Sequence, residues 1–212
     1  MAVPVEQGKL LYHLTAVENL ESIFKHGLAS RSKLAMLELS HKDIADCDIL
    51  KVRQMLHLDA CVPFHFLPKN PFSASVIKAH PDTKFCYIMV YRIFAREHGF
   101  KIVPSHPLAD HQWTKKPVVL LDYDKGIRAI DWQTMNNKDY SKGDYKTTSM
   151  AECLSRETVQ AKDFHSIAVK NQDTELRVRA LATKVFGSKL PFYINVCPYY
   201  FPAPGRKKAT TQ

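Results

Sequence analysis

The sequence predicts an α+β domain built on a mixed β-sheet. Two observations carry that prediction. Apolar segments of strand length are interspersed with amphipathic helical segments, but without the strand–helix–strand rhythm of a doubly wound parallel sheet. The strongest strand, Phe85 to Phe94, is apolar on both faces, as a strand covered on both sides must be. At 212 residues the chain suffices for one substantial domain, so 1–212 is read as a single unit with a frayed tail from about 202 to 212.

The elements follow in order. Lys9 to Leu14 is predicted to be a strand. Thr15 and Glu18 have capping-box spacing, and Val17, Leu20, Ile23 and Phe24 form the apolar stripe of the helix behind them. Gly27 closes that helix. Residues 30 to 57 are polar and mixed, consistent with helix pieces and a flexible loop. Cys61 to Phe66 reads as a buried strand and Lys69-Asn70-Pro71 as a turn. After Phe85 to Phe94 comes a further apolar run, Val118 to Tyr123. Between about 104 and 149 the chain is rich in Lys, Asp, Asn, Thr and Tyr, and so long a polar segment inside a compact domain is more often functional than idle. Met150 to Leu154 is a strand carrying a glutamate, Glu175 to Val185 a helix, and Phe192 to Val196 a final strand.

Lys and Arg number 30 against 21 for Asp and Glu, a formal charge of +9 that suits a polyanionic partner or a basic solubilising surface. The five cysteines, Cys47, Cys61, Cys86, Cys153 and Cys197, are widely spaced and form no CxxC pair. Neither a disulfide framework nor a cysteine zinc site is expected, and a reducing cytoplasm is the expected location. No secretory leader and no membrane-spanning run of ~20 apolar residues is visible. No GxGxxG, Walker A, HExxH or GxSxG motif occurs, which removes the commonest nucleotide-binding, zinc-protease and hydrolase readings. His106, Asp110 and His111 match no metal-ligand spacing, so no metal is expected.

Three constellations carry chemistry. His13 and Thr15 stand at a strand end before a helix. They are either a satisfied core histidine and a helix cap, or a clamp for the ribose hydroxyls of a dinucleotide. Glu152 interrupts Met150-Ala151-Glu152-Cys153-Leu154. It belongs either to a solvated edge strand or to a cleft, where its carboxylate would stabilise positive charge at an anomeric carbon. Lys51, Arg53, Lys115, Lys116, Lys138, Lys142 and Lys146, interleaved in their later part with Trp113, Tyr123, Trp132, Tyr140 and Tyr145, suit single-stranded nucleic acid. They suit equally a solvated loop with packing aromatics.

Read together, the residues resemble the DarT family of DNA ADP-ribosyltransferases, the toxins of DarT–DarG toxin–antitoxin systems, over nearly the whole chain. The anchors are Tyr12-His13-Leu14-Thr15 with Asn19-Leu20 and His26-Gly27-Leu28, then Val62-Pro63-Phe64-His65-Phe66 followed by Asn70-Pro71-Phe72. Ser105-His106-Pro107-Leu108-Ala109, Ile130-Asp131-Trp132 and Met150-Ala151-Glu152 complete the set. The resemblance implies an ADP-ribosyltransferase fold, a split mixed sheet with flanking helices that grips NAD in a cleft. It implies NAD as a substrate, transfer of ADP-ribose to a base in single-stranded DNA, and a macrodomain antitoxin as partner. By position, His13 and Thr15 would bind NAD with Asn19 in support, and Glu152 would be catalytic. Arg53 would stand close to the reaction centre, binding NAD as well, with Lys51 the alternative. The segment from about 106 to 152 would read the substrate, with His106 near the acceptor. The thymine-modifying pattern reads Val-Pro-Phe-Tyr-Phe and then Arg-Ser-Pro-Met. Here Val62-Pro63-Phe64-His65-Phe66 and Lys69-Asn70-Pro71-Phe72 resemble instead the guanine-modifying branch, which implies guanine as the acceptor. An RNA- or protein-directed transferase, and a non-enzymatic nucleic-acid-binding module, are the alternatives.

Overall fold

The computed structural model describes residues 3–109, 118–139 and 141–202. Asp110, His111, Trp113, Lys115, Lys116 and Tyr140, and almost all of the tail from 202, lie outside the described residues. Eight strands form one mixed sheet: β1 (Leu10–Ala16), β2 (Val62–His65), β3 (Phe85–Tyr91), β4 (Lys101–Val103), β5 (Leu121–Asp122), β6 (Glu152–Ser155), β7 (Ser166–Val169) and β8 (Tyr193–Val196). Their order is β5-β4-β6-β2-β1-β3-β7-β8, and only β7 and β8 run parallel. The described helices are α1 (Leu20–His26), α2 (Arg31–Met36), α3 (Cys47–Met55), α4 (Pro71–Ala79), α5 (Arg92–Glu97), α6 (Tyr123–Ala129), α7 (Trp132–Asn137), α8 (Gly143–Thr148) and α9 (Gln172–Phe186).

The sheet is split in its middle. β1 pairs with β3 along its whole length, from Leu10 opposite Tyr91 to Ala16 opposite Phe85. Against β2 it makes a single register pair, Tyr12 opposite His65. Part of the cause is Pro63, which has no N–H for a ladder and whose carbonyl accepts a side-chain bond from His13 Nδ1 at 2.7 Å instead. The two half-sheets, β5-β4-β6-β2 and β1-β3-β7-β8, therefore part on either side of His13.

Alternation along β1 sends Leu11 to one face and Leu14 and Ala16 to the other. On the first face Leu11, Cys86, Ile88 and Ile167 pack against Leu20, Ile23 and Phe24 of α1 and Val178 and Ala182 of α9. On the second, Leu14, Phe85, Tyr87 and Met89 lie under Val76 of α4, Ile44 and Phe201. α9 starts where Asn171 accepts hydrogen bonds from the backbone and hydroxyl of Thr174, and ends at Gly187. No described helix is long and apolar enough to cross a membrane.

Several expectations need correction. Thr15 does not cap a helix, because β1 continues through it to Ala16, and the following turn, Val17–Asn19, has no side-chain cap. The stripe of Val17, Leu20, Ile23 and Phe24 is nevertheless buried as expected, and Gly27 closes α1 at φ 82°. Lys69-Asn70-Pro71 is not a simple turn. Asn70 and Ser73 form a reciprocal capping box, with Pro71 in the first turn, and so begin α4. The strand beginning at Phe85 stops at Tyr91, where the backbone turns into α5. Of the run from Val118 to Tyr123 only Leu121–Asp122 is strand, and much of the polar segment that follows is helical. The edge-strand reading of Glu152 is also overturned, since β6 lies between β4 and β2.

Candidate active site

Glu152 opens β6 and stands opposite His65 of β2 and Val103 of β4. α3 brings Arg53 against it from outside the sheet. The guanidinium donates from Nη1 to Oε1 at 2.8 Å and from Nη2 to Oε2 at 3.0 Å, a bidentate pair. Arg53 and Glu152 are only 7% and 4% exposed. Two desolvated charges contribute little to stability on balance, so such a pair points to a site where charge is used.

Burial alone would raise the Glu152 carboxyl. The charge and hydrogen bonds of Arg53 outweigh it and hold the carboxyl below its usual value, with His65 and His106 adding to the effect. Glu152 is thus ionised at neutral pH. The imidazoles are the reverse case. Burial lowers His13 to about 4, with Arg31 and His65 adding and the bond to Pro63 opposing. Burial likewise lowers His65 and His106 against the pull of Glu152. All three are neutral at pH 7, and their partners fix the tautomers. His13 and His65 donate from Nδ1 to the carbonyls of Pro63 at 2.7 Å and Ala151 at 3.3 Å, so each Nε2 is left as an acceptor. His106 Nδ1 accepts from Leu108 N–H at 3.4 Å, so its Nε2 carries the proton.

These groups line one cleft of about 910 Å³ at the split of the sheet, within the range of nucleotide-sized sites. His13, Thr15, Asn19, Arg53, His106 and Glu152, far apart in sequence, all line it. Lys51 does not. It projects from α3 into solvent, paired with Asp48 at 3.2 Å. Asn19 is committed to the protein. Its amide donates to Thr15 Oγ1 at 3.2 Å and to Lys42 O at 2.9 Å, and its oxygen accepts from Lys42 N–H at 2.7 Å. It therefore ties the segment after α2 to the end of β1. Arg31 reinforces that tie through a bidentate pair with Asp43 at 2.7 and 2.8 Å, which with burial opposing holds the Asp43 carboxyl at about 2.

Sequence reasoning did not weigh Arg31, Asp43 and Phe72 as cleft residues, and took His65 only as a branch marker. The signal for His65 was the same as for Glu152, a polar side chain inside an apolar strand. Among the described residues of the segment expected to read DNA, the aromatic side chains turn inward. Tyr145 is buried, and Trp132 donates to Ile127 O at 2.9 Å with its ring edge-on to Phe66. Among the described residues no cluster of three or more potential metal ligands exists.

Solved structures with this fold include Thermus sp. 2.9 DarT in complex with ADP-ribosylated ssDNA (TM-score 0.74, 16% identity, 92% of this chain and 96% of that one). The same protein in complex with carba-NAD+ matches at TM-score 0.70 and 15% identity over 92% and 99%. Thermosipho africanus DarTG in complex with ADP-ribose matches at TM-score 0.75 and 17% identity, over 94% of this chain and 52% of that one. No curated protein matches the sequence. The family described as "ssDNA thymidine ADP-ribosyltransferase, DarT" matches residues 12–201, and with that span the chain belongs to the DarT family.

Proposed function

We propose that this protein transfers ADP-ribose from NAD to guanine in single-stranded DNA, releasing nicotinamide, with a macrodomain antitoxin as its counterpart. The observation that carries the reading is the buried Arg53–Glu152 pair at the base of the cleft. Glu152 supplies a fixed negative charge to a ribose turning into an oxocarbenium ion, and Arg53 holds that carboxylate ionised and in place. His13 Nε2 accepts from a ribose hydroxyl. Thr15, whose oxygen already accepts from Asn19, donates to another. A base nitrogen is a weak nucleophile, so positioning supplies much of the rate.

Guanine is favoured over the thymidine of the family description by hydrogen-bond polarity. The guanine edge offers two donors, N1–H and the 2-amino group, beside the O6 acceptor. Glu152 and the free Nε2 of His65 are acceptors, and His106 Nε2–H is a donor for O6. Thymine presents two acceptors around one donor and matches this set less well. Incubating NAD and protein with single-stranded oligonucleotides that each lack one base tests the reading by mass. A gain of one ADP-ribose lost only on omitting guanine supports it; loss on omitting thymine contradicts the base.

A further inference from the structure

Among the described residues of 123–148 the aromatics pack inward, whereas exposed aromatic rings lie elsewhere on the molecule. The face of the half-sheet β1-β3-β7-β8 that carries Glu152's row is covered at Met89 and Ser166, 2% and 0% exposed, but its far rim carries exposed aromatic rings. Register pairs run in one row from the site: Glu152, His65, Tyr12, Met89, Ser166, Tyr193. Partners in a row share a face, and at ~4.8 Å per strand the row is about 24 Å long. Aromatic rings follow it. Tyr12 meets Tyr200 at 5.5 Å and Tyr200 meets Tyr199 at 4.7 Å. Tyr91 meets His165 at 4.5 Å, and His165 meets Tyr193 at 6.1 Å. Tyr91, Tyr193 and Tyr199 are 43%, 71% and 70% exposed. Exposed lysines stand just before three of the strands at that end of the sheet: Lys9 before β1, Lys162 before β7 and Lys189 before β8. Among the described residues none of the three is in an ion pair with an acidic side chain.

We propose that this rim is the stacking platform for the nucleotides flanking the modified base, with Tyr91, Tyr193 and Tyr199 under the bases and the three lysines at the phosphates. The proposal rests on the DNA-directed reading above. Its chemistry is general: bases stack on aromatic rings without regard to sequence, and lysines neutralise the backbone. The platform extends binding; it takes no part in bond making.

The test compares wild type with Tyr91→Ala/Tyr193→Ala and Tyr91→Phe/Tyr193→Phe in fluorescence anisotropy, using guanine-containing oligonucleotides of about 4 and about 12 nucleotides. Wild type is expected to bind the longer one more tightly. The alanine pair is expected to lose that gain, about tenfold or more in Kd, with NAD affinity and short-oligonucleotide binding unchanged. The phenylalanine pair, which keeps the rings, is expected to retain it. Equal affinity of wild type and the alanine pair for the longer oligonucleotide would overturn the platform while leaving the transferase reading standing. A wild type that binds NAD yet neither binds nor modifies any single-stranded DNA would overturn both.

Discussion

Glu152 and Arg53 neutralise each other where water is largely excluded, and removing either leaves the other as an uncompensated buried charge. Glu152→Ala is therefore expected to lower stability by about 3–5 kcal/mol as well as abolishing transfer, a loss readable as a fall in Tm. Glu152→Gln keeps the shape and one acceptor. It is expected to fold more stably than Glu152→Ala and to lose at least about 100-fold in kcat, because the charge opposite the oxocarbenium is gone. His13 adds a pH signature. Its folded value of about 4 lies below the 6.5 of the free imidazole, so between those values the unfolded chain binds more protons. The corresponding stability is fully present above 6.5 and is lost as pH falls toward 4. It amounts to at most about 3 kcal/mol, since the ring is partly open to the cleft. Glu152, held below its usual value by Arg53 against its own burial, adds a loss beginning near 4.5, so both groups make acid destabilising. Denaturant unfolding of His13→Gln is expected to show a flatter profile between pH 6.5 and 4. At this scale Glu152 was legible as a charge inside an apolar strand. Arg53 was not legible without the family resemblance, because it sits in a mixed stretch, Leu50-Lys51-Val52-Arg53-Gln54-Met55, beside a second basic residue, and only folding brings α3 to β6.

Segments with a clear period or a continuous apolar run were legible as elements: β1, the body of β3, α9 and the apolar stripe of α1. Their ends were not. Thr15 resembled a cap because Thr and Glu stood three apart, but seven consecutive pairs with β3 carry β1 past it. α4 was hidden behind Asn70-Pro71, which reads equally as a turn or as a capped helix start. Asn19 shows an element-level role that residue type alone does not reveal. It holds Lys42, and with it the segment lining the cleft opposite Thr15. Asn19→Ala is expected to raise KM for NAD several-fold with kcat little changed, because the wall of the pocket is released while Glu152 and Arg53 stay in place. Steady-state kinetics at saturating DNA reads that split, and a fall in kcat with unchanged KM would contradict it. Gly27→Ala meets two obstacles at the end of α1. The φ of 82° disfavours a side chain, and the new Cβ would lie 2.5 Å from Thr158 Cγ2. The expected cost exceeds ~1 kcal/mol in thermal or denaturant unfolding.

Across the whole molecule, function follows from a sheet that does not close on itself. One register pair joins its halves, Pro63 withholds a backbone donor there, and the gap becomes a cleft with His13 on one side and Glu152 on the other. The α+β class was readable from the order of elements. The split was implied only by resemblance, because a missing ladder leaves no mark in hydrophobic periodicity. The formal charge of +9 belongs to this scale too. DNA affinity is expected to fall steeply as salt rises, with a log–log slope of about −0.7 per phosphate contacted, and a flat response would contradict phosphate contact. The most direct test of the central claim is mass spectrometry of single-stranded oligonucleotides incubated with NAD and either wild type or Glu152→Gln. The expected result is one added ADP-ribose with wild type, absent when guanine is omitted and absent with the variant. Wild-type modification by a folded Glu152→Gln protein, or no adduct on any DNA by wild type that binds NAD, would contradict it.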